Sequence, residues 1–211
     1  MDEQKRKVPS MLKNILMGDI YATNVFVKQL EHFFPFSQMK THYRTLEISC
    51  HGILWLVGTF MFIWVLADKK YYQLQVNLLL GLVLDVIFLC IVKGITRRRR
   101  PAVNDDPFSM GPDKYSFPSG HASRVTFIVY LFIYLWPVAS IFVPPLLAWS
   151  ISIYISRILM RRHYILDVLA GIALGILEGL IVGYVYLDQE TCVNLVSWMT
   201  EEKMSGPEFD V

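Results

Sequence analysis

The sequence predicts an all-α fold, a multi-pass transmembrane helical bundle of about five spans preceded by an N-terminal interfacial amphipathic region. Three observations carry that expectation. Of the 211 residues 54% are hydrophobic, and the mean hydropathy of +0.41 is too apolar for an ordinary water-soluble domain. Several apolar runs approach the length needed to cross a bilayer. Polar residues inside those runs fall on narrow stripes, as they must where the rest of a helix faces lipid.

Three regions follow: a polar and amphipathic N-terminal region (1–46), a membrane-embedded domain (47–188) and a C-terminal tail (189–211). Residues 1–12 are polar and basic (Lys5, Arg6, Lys7). From Leu12 to Phe36 apolar residues recur at helical spacing, interrupted by Gly18, Asp19 and Lys28. That segment is too polar to span, so it lies in the interface or caps the bundle, with Phe33-Phe34-Pro35-Phe36 as an aromatic stop. Ser49 to Ala67 is a first span without a charged residue, and Leu74 to Ile95 a second. In the second, Asn77, Asp85 and Lys93 are eight residues apart, which turns successive members by ~80° into a slanting polar stripe. Asp85 is read as making a helix-to-helix hydrogen bond. His121 to Trp136 forms the third span, ended by Pro137, and Val138 to Ser156 returns as the fourth, with Pro144-Pro145 in its first turns or as a kink. Tyr164 to Leu187 is the fifth, carrying Gly171, Gly175, Gly179 and Gly183 at i+4 as a ridge for close helix packing, and Glu178 as a buried hydrogen-bonding carboxylate.

Composition narrows the function classes. The net charge is +2, and basic residues gather at the ends of apolar runs without interleaved aromatics, which argues against nucleic acid as a partner. Cys50, Cys90 and Cys192 form neither a disulfide framework nor a metal-ligand spacing, so no metal and no cofactor is expected.

The chemistry-bearing residues sit at the ends of spans. Arg97-Arg98-Arg99-Arg100 closes the second span. Pro118-Ser119-Gly120-His121 opens the third, where free backbone N–H groups and the positive end of the helix dipole make an anion seat. Two further crossings return Arg157, His163 and Asp167 to the same rim, and His163 and Asp167, four apart on one helix, are read as meeting. Cations, a backbone seat and titratable rings together point to phosphoryl chemistry.

The pattern Lys93-x6-Arg100-Pro101, Pro118-Ser119-Gly120-His121 and Ser156-Arg157-x5-His163-x3-Asp167 resembles the three-part signature of the type 2 phosphatidic acid phosphatase (lipid phosphate phosphatase) superfamily. Arg97–Pro101 and Asp113-Lys114-Tyr115-Ser116-Phe117 are most similar to its polyisoprenoid or presqualene diphosphate phosphatase branch. The resemblance implies a metal-independent lipid phosphatase working through a phosphohistidine on His163, with Asp167 orienting that ring and His121 serving the leaving oxygen and then water. Lys93, Arg100, Ser119, Gly120 and Arg157 would bind the non-bridging oxygens. Arg97, Arg98, Arg99 and Lys114 are extra cations that either hold a second phosphate or meet lipid head groups, and Arg161 and Arg162 are read as interfacial anchors. The implied partners are the bilayer and a phosphorylated lipid: a polyisoprenoid diphosphate or monophosphate, or alternatively phosphatidic acid or sphingosine 1-phosphate. A non-catalytic adaptor on the same fold is the competing class. The resemblance further implies the endoplasmic reticulum membrane or nuclear envelope.

Overall fold

The computed structural model describes residues 9–33, 36–102 and 114–201. Lys5, Arg6, Lys7, Phe34, Pro35, Asp113 and the tail beyond 201 lie outside the described residues. Eight α-helices are described: α1 (Ser10–Phe33), α2 (Phe36–Ser49), α3 (Gly52–Leu66), α4 (Tyr72–Thr96), α5 (Gly120–Tyr130), α6 (Val143–Leu159), α7 (Ile165–Tyr184) and α8 (Gln189–Glu201). A π-helical turn, Leu131–Leu135, extends α5, and single 3-10 turns lead into α4 and α6.

By length and composition three helices can cross a bilayer: Lys69–Thr96, Ser140–Leu159 and Ile165–Tyr184. A fourth crossing results if Met39–Ser49 and Gly52–Leu66, bent by 49° to each other, are one broken span. Gly120–Leu135, at the place of the expected third span, is a shorter apolar helix. It lies at the centre of the bundle. Every residue from Ala122 to Ile128 is buried, including Ser123, Arg124 and Thr126, because α4, α6 and α7 enclose this helix.

The seam between α5 and α7 is the closest packing in the bundle. A Cβ on Gly171 would stand 2.5 Å from the Ser119 carbonyl oxygen, and one on Gly175 would meet the Ser123 carbonyl, so the two backbones touch where side chains would otherwise hold them apart. On the other side of α5, a Cβ on Gly81 of α4 would run into the Phe127 ring. Phe127, Ile128 and Leu131 join Leu74, Leu78, Leu82 and Val182 in the main apolar core.

Charges inside the bundle are paired. Asp85 of α4 meets Arg124 of α5 at 2.5 Å, and Arg124 also donates to the Cys50 carbonyl at the α2–α3 bend. Glu178 accepts from Ser123 Oγ. Both carboxylates thus take the interhelical partners expected of polar groups away from water. Pro144 and Pro145 stand in the first turn of α6, where a missing N–H costs nothing.

Of the two readings of the N-terminal region, interfacial helix or cap, the structure shows the cap. α1 is one continuous helix whose buried stripe, Asp19, Thr23 and Val27, packs on α6 and α7 as a cap over the bundle. The tail is a helix as well: α8 docks on α4 and buries Cys192 and Val196, and Asn77 holds both the N–H and the carbonyl of Leu187 between α7 and α8.

The glycine seam makes graded demands. Gly175→Leu should lower the thermal midpoint in detergent by roughly 3–10 °C, since the α5 backbone cannot give way, whereas Gly183→Ala, whose Cβ would lie 3.1 Å from the flexible end of Leu135, should change it little.

Candidate active site

Four helix ends converge on one rim. The end of α4 brings Lys93, the start of α5 brings Ser119, Gly120 and His121, the end of α6 brings Arg157, and the turn before α7 brings His163. α4 stops at Arg97, in the left-handed region with φ 48°, and its N–H returns to the Lys93 carbonyl. The chain leaving α4 then pairs with the chain entering α5: Arg99 bridges Tyr115, and the Ser116 N–H donates to the Arg98 carbonyl at 2.8 Å. Ala102 donates to the Arg161 carbonyl, and Ser119 N–H donates to the Asp167 carbonyl at 2.9 Å, which ties both loops to the turn before α7.

His163 is buried and stands in that turn, not on a helix. α6 ends at Leu159, Arg161 takes φ 52°, and α7 starts only at Ile165. The expected contact of His163 with Asp167 therefore forms across a turn and not along one helix. His163 Nδ1 lies 2.7 Å from the Ser116 carbonyl oxygen and 3.9 Å from the nearest Asp167 carboxylate oxygen. A carbonyl can only accept, so Nδ1 carries the proton and Nε2 keeps its lone pair. Burial, followed by the positive charges of Arg100, Lys93 and Arg157, holds the His163 ring well below the ordinary histidine pKa.

Asp167 is fully buried and works on the backbone and on Arg98. Its carboxylate accepts the Tyr164 N–H at 2.8 Å as part of a capping box and pairs with Arg98 at 2.7 Å. Arg98 bridges from Asp167 to Asp19 of α1 at 2.6 Å, with its guanidinium over the Tyr164 ring. Asp19 also accepts the Leu166 N–H, and Thr23 accepts the Ile165 N–H. The free N–H groups at the start of α7 are thus consumed by α1 and Asp167, which leaves the start of α5 as the open anion seat.

At that seat Ser119 is the N-cap. Its Oγ accepts from Ala122 N–H and its amide is spent on Asp167, so the hydroxyl hydrogen is what it can offer a ligand. His121, partly buried, faces the Glu47 carbonyl through Nε2 at 3.2 Å, which puts the lone pair of the neutral ring on Nδ1. Arg157, buried against Glu47, keeps an Nε–H with no hydrogen-bond partner among the described residues. A buried guanidinium short of acceptors is what a phosphate site requires.

The extra cations separate. Arg98 is taken by two carboxylates, Arg97 folds back on the Gly94 carbonyl, and Arg99 and Lys114 are exposed. Arg162, read as an interfacial anchor, instead buries a guanidinium nitrogen that has no partner among the described residues. Arg98, read as an extra cation for a phosphate or head group, is instead a scaffold residue, and the residues missed at the sequence level are Arg124, Asp19, Thr23 and Glu47. A charge inside an apolar run was the available signal for Arg124; the others come from segments whose contacts only the fold defines.

Residues 74–190 match the family model described as the PAP2 superfamily. The chain belongs to the PAP2 superfamily. This PAP2 chain is 42% identical to "Probable lipid phosphate phosphatase beta" of Arabidopsis thaliana, over 50% of this chain and 62% of that one. It is 37% identical to "Decaprenylphosphoryl-5-phosphoribose phosphatase" of Mycobacterium tuberculosis, over 44% of this chain and 50% of the relative. It thus spans less than two thirds of the length of either. The crystal structure of Aquifex aeolicus LpxE shares the fold, with a TM-score of 0.52 at 20% identity, over 69% of this chain and 85% of that one.

The His163 environment predicts a pH response. Because its pKa is depressed, the ring stays neutral as pH falls through the ordinary histidine range, and ring ¹⁵N NMR should show no protonation of His163 near pH ~6.5. Arg100→Gln, by removing the largest neighbouring charge, should move the midpoint upward. A titration near the ordinary value in the unmodified protein would contradict this account. Asp19→Ala leaves Arg98 and the first amides of α7 with fewer acceptors and should cost about 2–4 kcal/mol, read by thermal unfolding.

Proposed function

We propose that this chain is an integral-membrane lipid phosphatase that hydrolyses phosphorylated lipids through a phosphohistidine. The observation that carries the reading is His163: neutral, with Nδ1–H engaged by the Ser116 carbonyl and Nε2 free, among Lys93, Arg100 and Arg157. An imidazole held in one tautomer inside a cationic site is a nucleophile aimed at phosphorus.

In the first step Nε2 of His163 attacks phosphorus and the bond to the leaving oxygen breaks. His121, whose neutral Nδ1 takes up a proton from solvent as the entering phosphate dianion offsets the nearby guanidinium charges, donates that proton to the leaving oxygen, releasing the lipid alcohol, or the lipid monophosphate when the substrate is a diphosphate. In the second step His121, now neutral, takes a proton from water as the water attacks the phosphohistidine, which frees inorganic phosphate and restores both rings. Lys93, Arg100, Arg157, the Ser119 hydroxyl and the amides at the head of α5 would stabilise the charge spread over the equatorial oxygens. Asp167 supports this geometry by fixing the turn, while Ser116 orients the ring.

Polyisoprenoid diphosphates are the substrate class we favour. The polyprenyl-linked substrate in the name of the mycobacterial relative supports a long isoprenoid tail, and the buried nitrogen of Arg162, without a hydrogen-bond partner among the described residues, offers a cation for a second phosphate where Arg98 cannot. The endoplasmic reticulum membrane or nuclear envelope is the location proposed with it.

The test is phosphate release by purified protein in detergent from farnesyl diphosphate, presqualene diphosphate, phosphatidic acid and sphingosine 1-phosphate, with EDTA present. Release from the diphosphates should persist in EDTA and fall by roughly 10³-fold or more in His163→Ala and in His121→Ala. No release above His163→Ala from any of the four, with folded protein, would favour the non-catalytic adaptor.

A further inference from the structure

Resting on that phosphatase reading, we infer that Glu47 is a positioning residue for Arg157 that sets how tightly the site holds phosphate and so how fast product leaves. Glu47 lies near the end of α2, outside residues 74–190 that define the family match. Two contacts bind it to the site. Its Oε1 is 2.8 Å from NH1 of Arg157, and its backbone carbonyl accepts from Nε2 of His121 at 3.2 Å.

The geometry around Arg157 gives the carboxylate its role. The guanidinium is 2% exposed, so its charge depends on a nearby partner. Glu47 grips it at NH1. NH2 lies 3.2 Å from the Met160 sulfur, a weak acceptor, and Nε is buried with no partner among the described residues. Nε and NH2 form the edge of the planar fork that takes two oxygens of one phosphate. Glu47 therefore backs the fork from the opposite corner and leaves that edge to the anion.

The same carboxylate tempers the site. Lys93, Arg100 and Arg157 act together on His163, and three cations in a buried rim would hold inorganic phosphate strongly after the ester is gone. A negative charge in contact with Arg157 opposes the bound phosphate and hastens its departure, while keeping the guanidinium in place for the next substrate.

The experiment uses the full chain in detergent with inorganic phosphate as the probe. Phosphate affinity is measured by direct titration and as a competitive inhibition constant, beside kcat and KM on the substrate turned over best. Glu47→Gln keeps an acceptor for Arg157 and removes the charge. It should tighten phosphate binding roughly tenfold and lower kcat and KM in parallel, leaving kcat/KM within about threefold of the unmodified protein. Glu47→Asp, which draws the charge back from Arg157, should tighten binding by a smaller factor. Unchanged or weaker phosphate binding in Glu47→Gln, or a fall in kcat/KM without a change in phosphate affinity, overturns the inference and marks Glu47 as a structural contact. If Glu47→Gln does not fold, Glu47→Asp binding phosphate no more tightly than the unmodified protein overturns it equally. The two readings separate cleanly. Unmodified protein that binds phosphate but releases none from any lipid sinks the phosphatase reading, and the binding comparison still decides the role of Glu47.

Discussion

The fold depends on how closely α5 can lie against α7. Gly171 and Gly175 let the backbones touch, and that contact places the Ser119 amide against the Asp167 carbonyl. Through this hydrogen bond the start of α5 and the start of α7 become one rigid corner. His121 rides on the first and His163 precedes the second, so the glycine seam fixes the two rings relative to each other. A side chain at Gly171 or Gly175 would separate the helices and the histidines together.

The second constraint is charge. The corner gathers Lys93, Arg98, Arg100, Arg157 and Arg162 near one another, a concentration no apolar bundle tolerates without compensation. The structure divides these cations by partner. Arg98 is neutralised between Asp19 and Asp167 and belongs to the scaffold. Arg157 is half neutralised: Glu47 holds one corner of its guanidinium while Nε has no acceptor among the described residues. Deeper in the bundle Arg124 is matched by Asp85 and by the Cys50 carbonyl, which pins the α2–α3 bend that presents Glu47.

Much of the bundle was legible in the sequence because its signals are local. The glycine ridge, the prolines at Pro137 and Pro144-Pro145, and the apolar runs each state a rule about one helix. The interhelical roles of Asp85 and Glu178 followed from the same logic, since a carboxylate among lipid-facing residues has to find a partner. His163 and Asp167 do meet, at 3.9 Å, but not as neighbours on one helix. The chain turns through Arg161 in the left-handed region before α7 begins, so His163 lies outside the helix that carries Asp167. The orienting group is a backbone carbonyl, Ser116, and a carbonyl leaves no mark on side-chain pattern. The third apolar run, α5, carried one further meaning that hydrophobicity alone does not distinguish: it is apolar because protein surrounds it.

The N-terminal arm changes what counts as the site. Sequence pattern leaves the segment of α1 either in the interface or capping the bundle, and the matched family segment begins only at Leu74. Yet α1 supplies the acceptors for the first amides of α7 and for Arg98, and α2 supplies both groups that hold His121 and Arg157. Each of these contacts satisfies a donor that the family segment would otherwise bury unpaired. A domain cut at the start of that segment would therefore keep its histidines and lose the groups that orient His121 and steady Arg98 and Arg157. The arm is part of the candidate site in the physical sense that the tautomer of His121 and the pairing of Arg98 and Arg157 are defined only when it is in place.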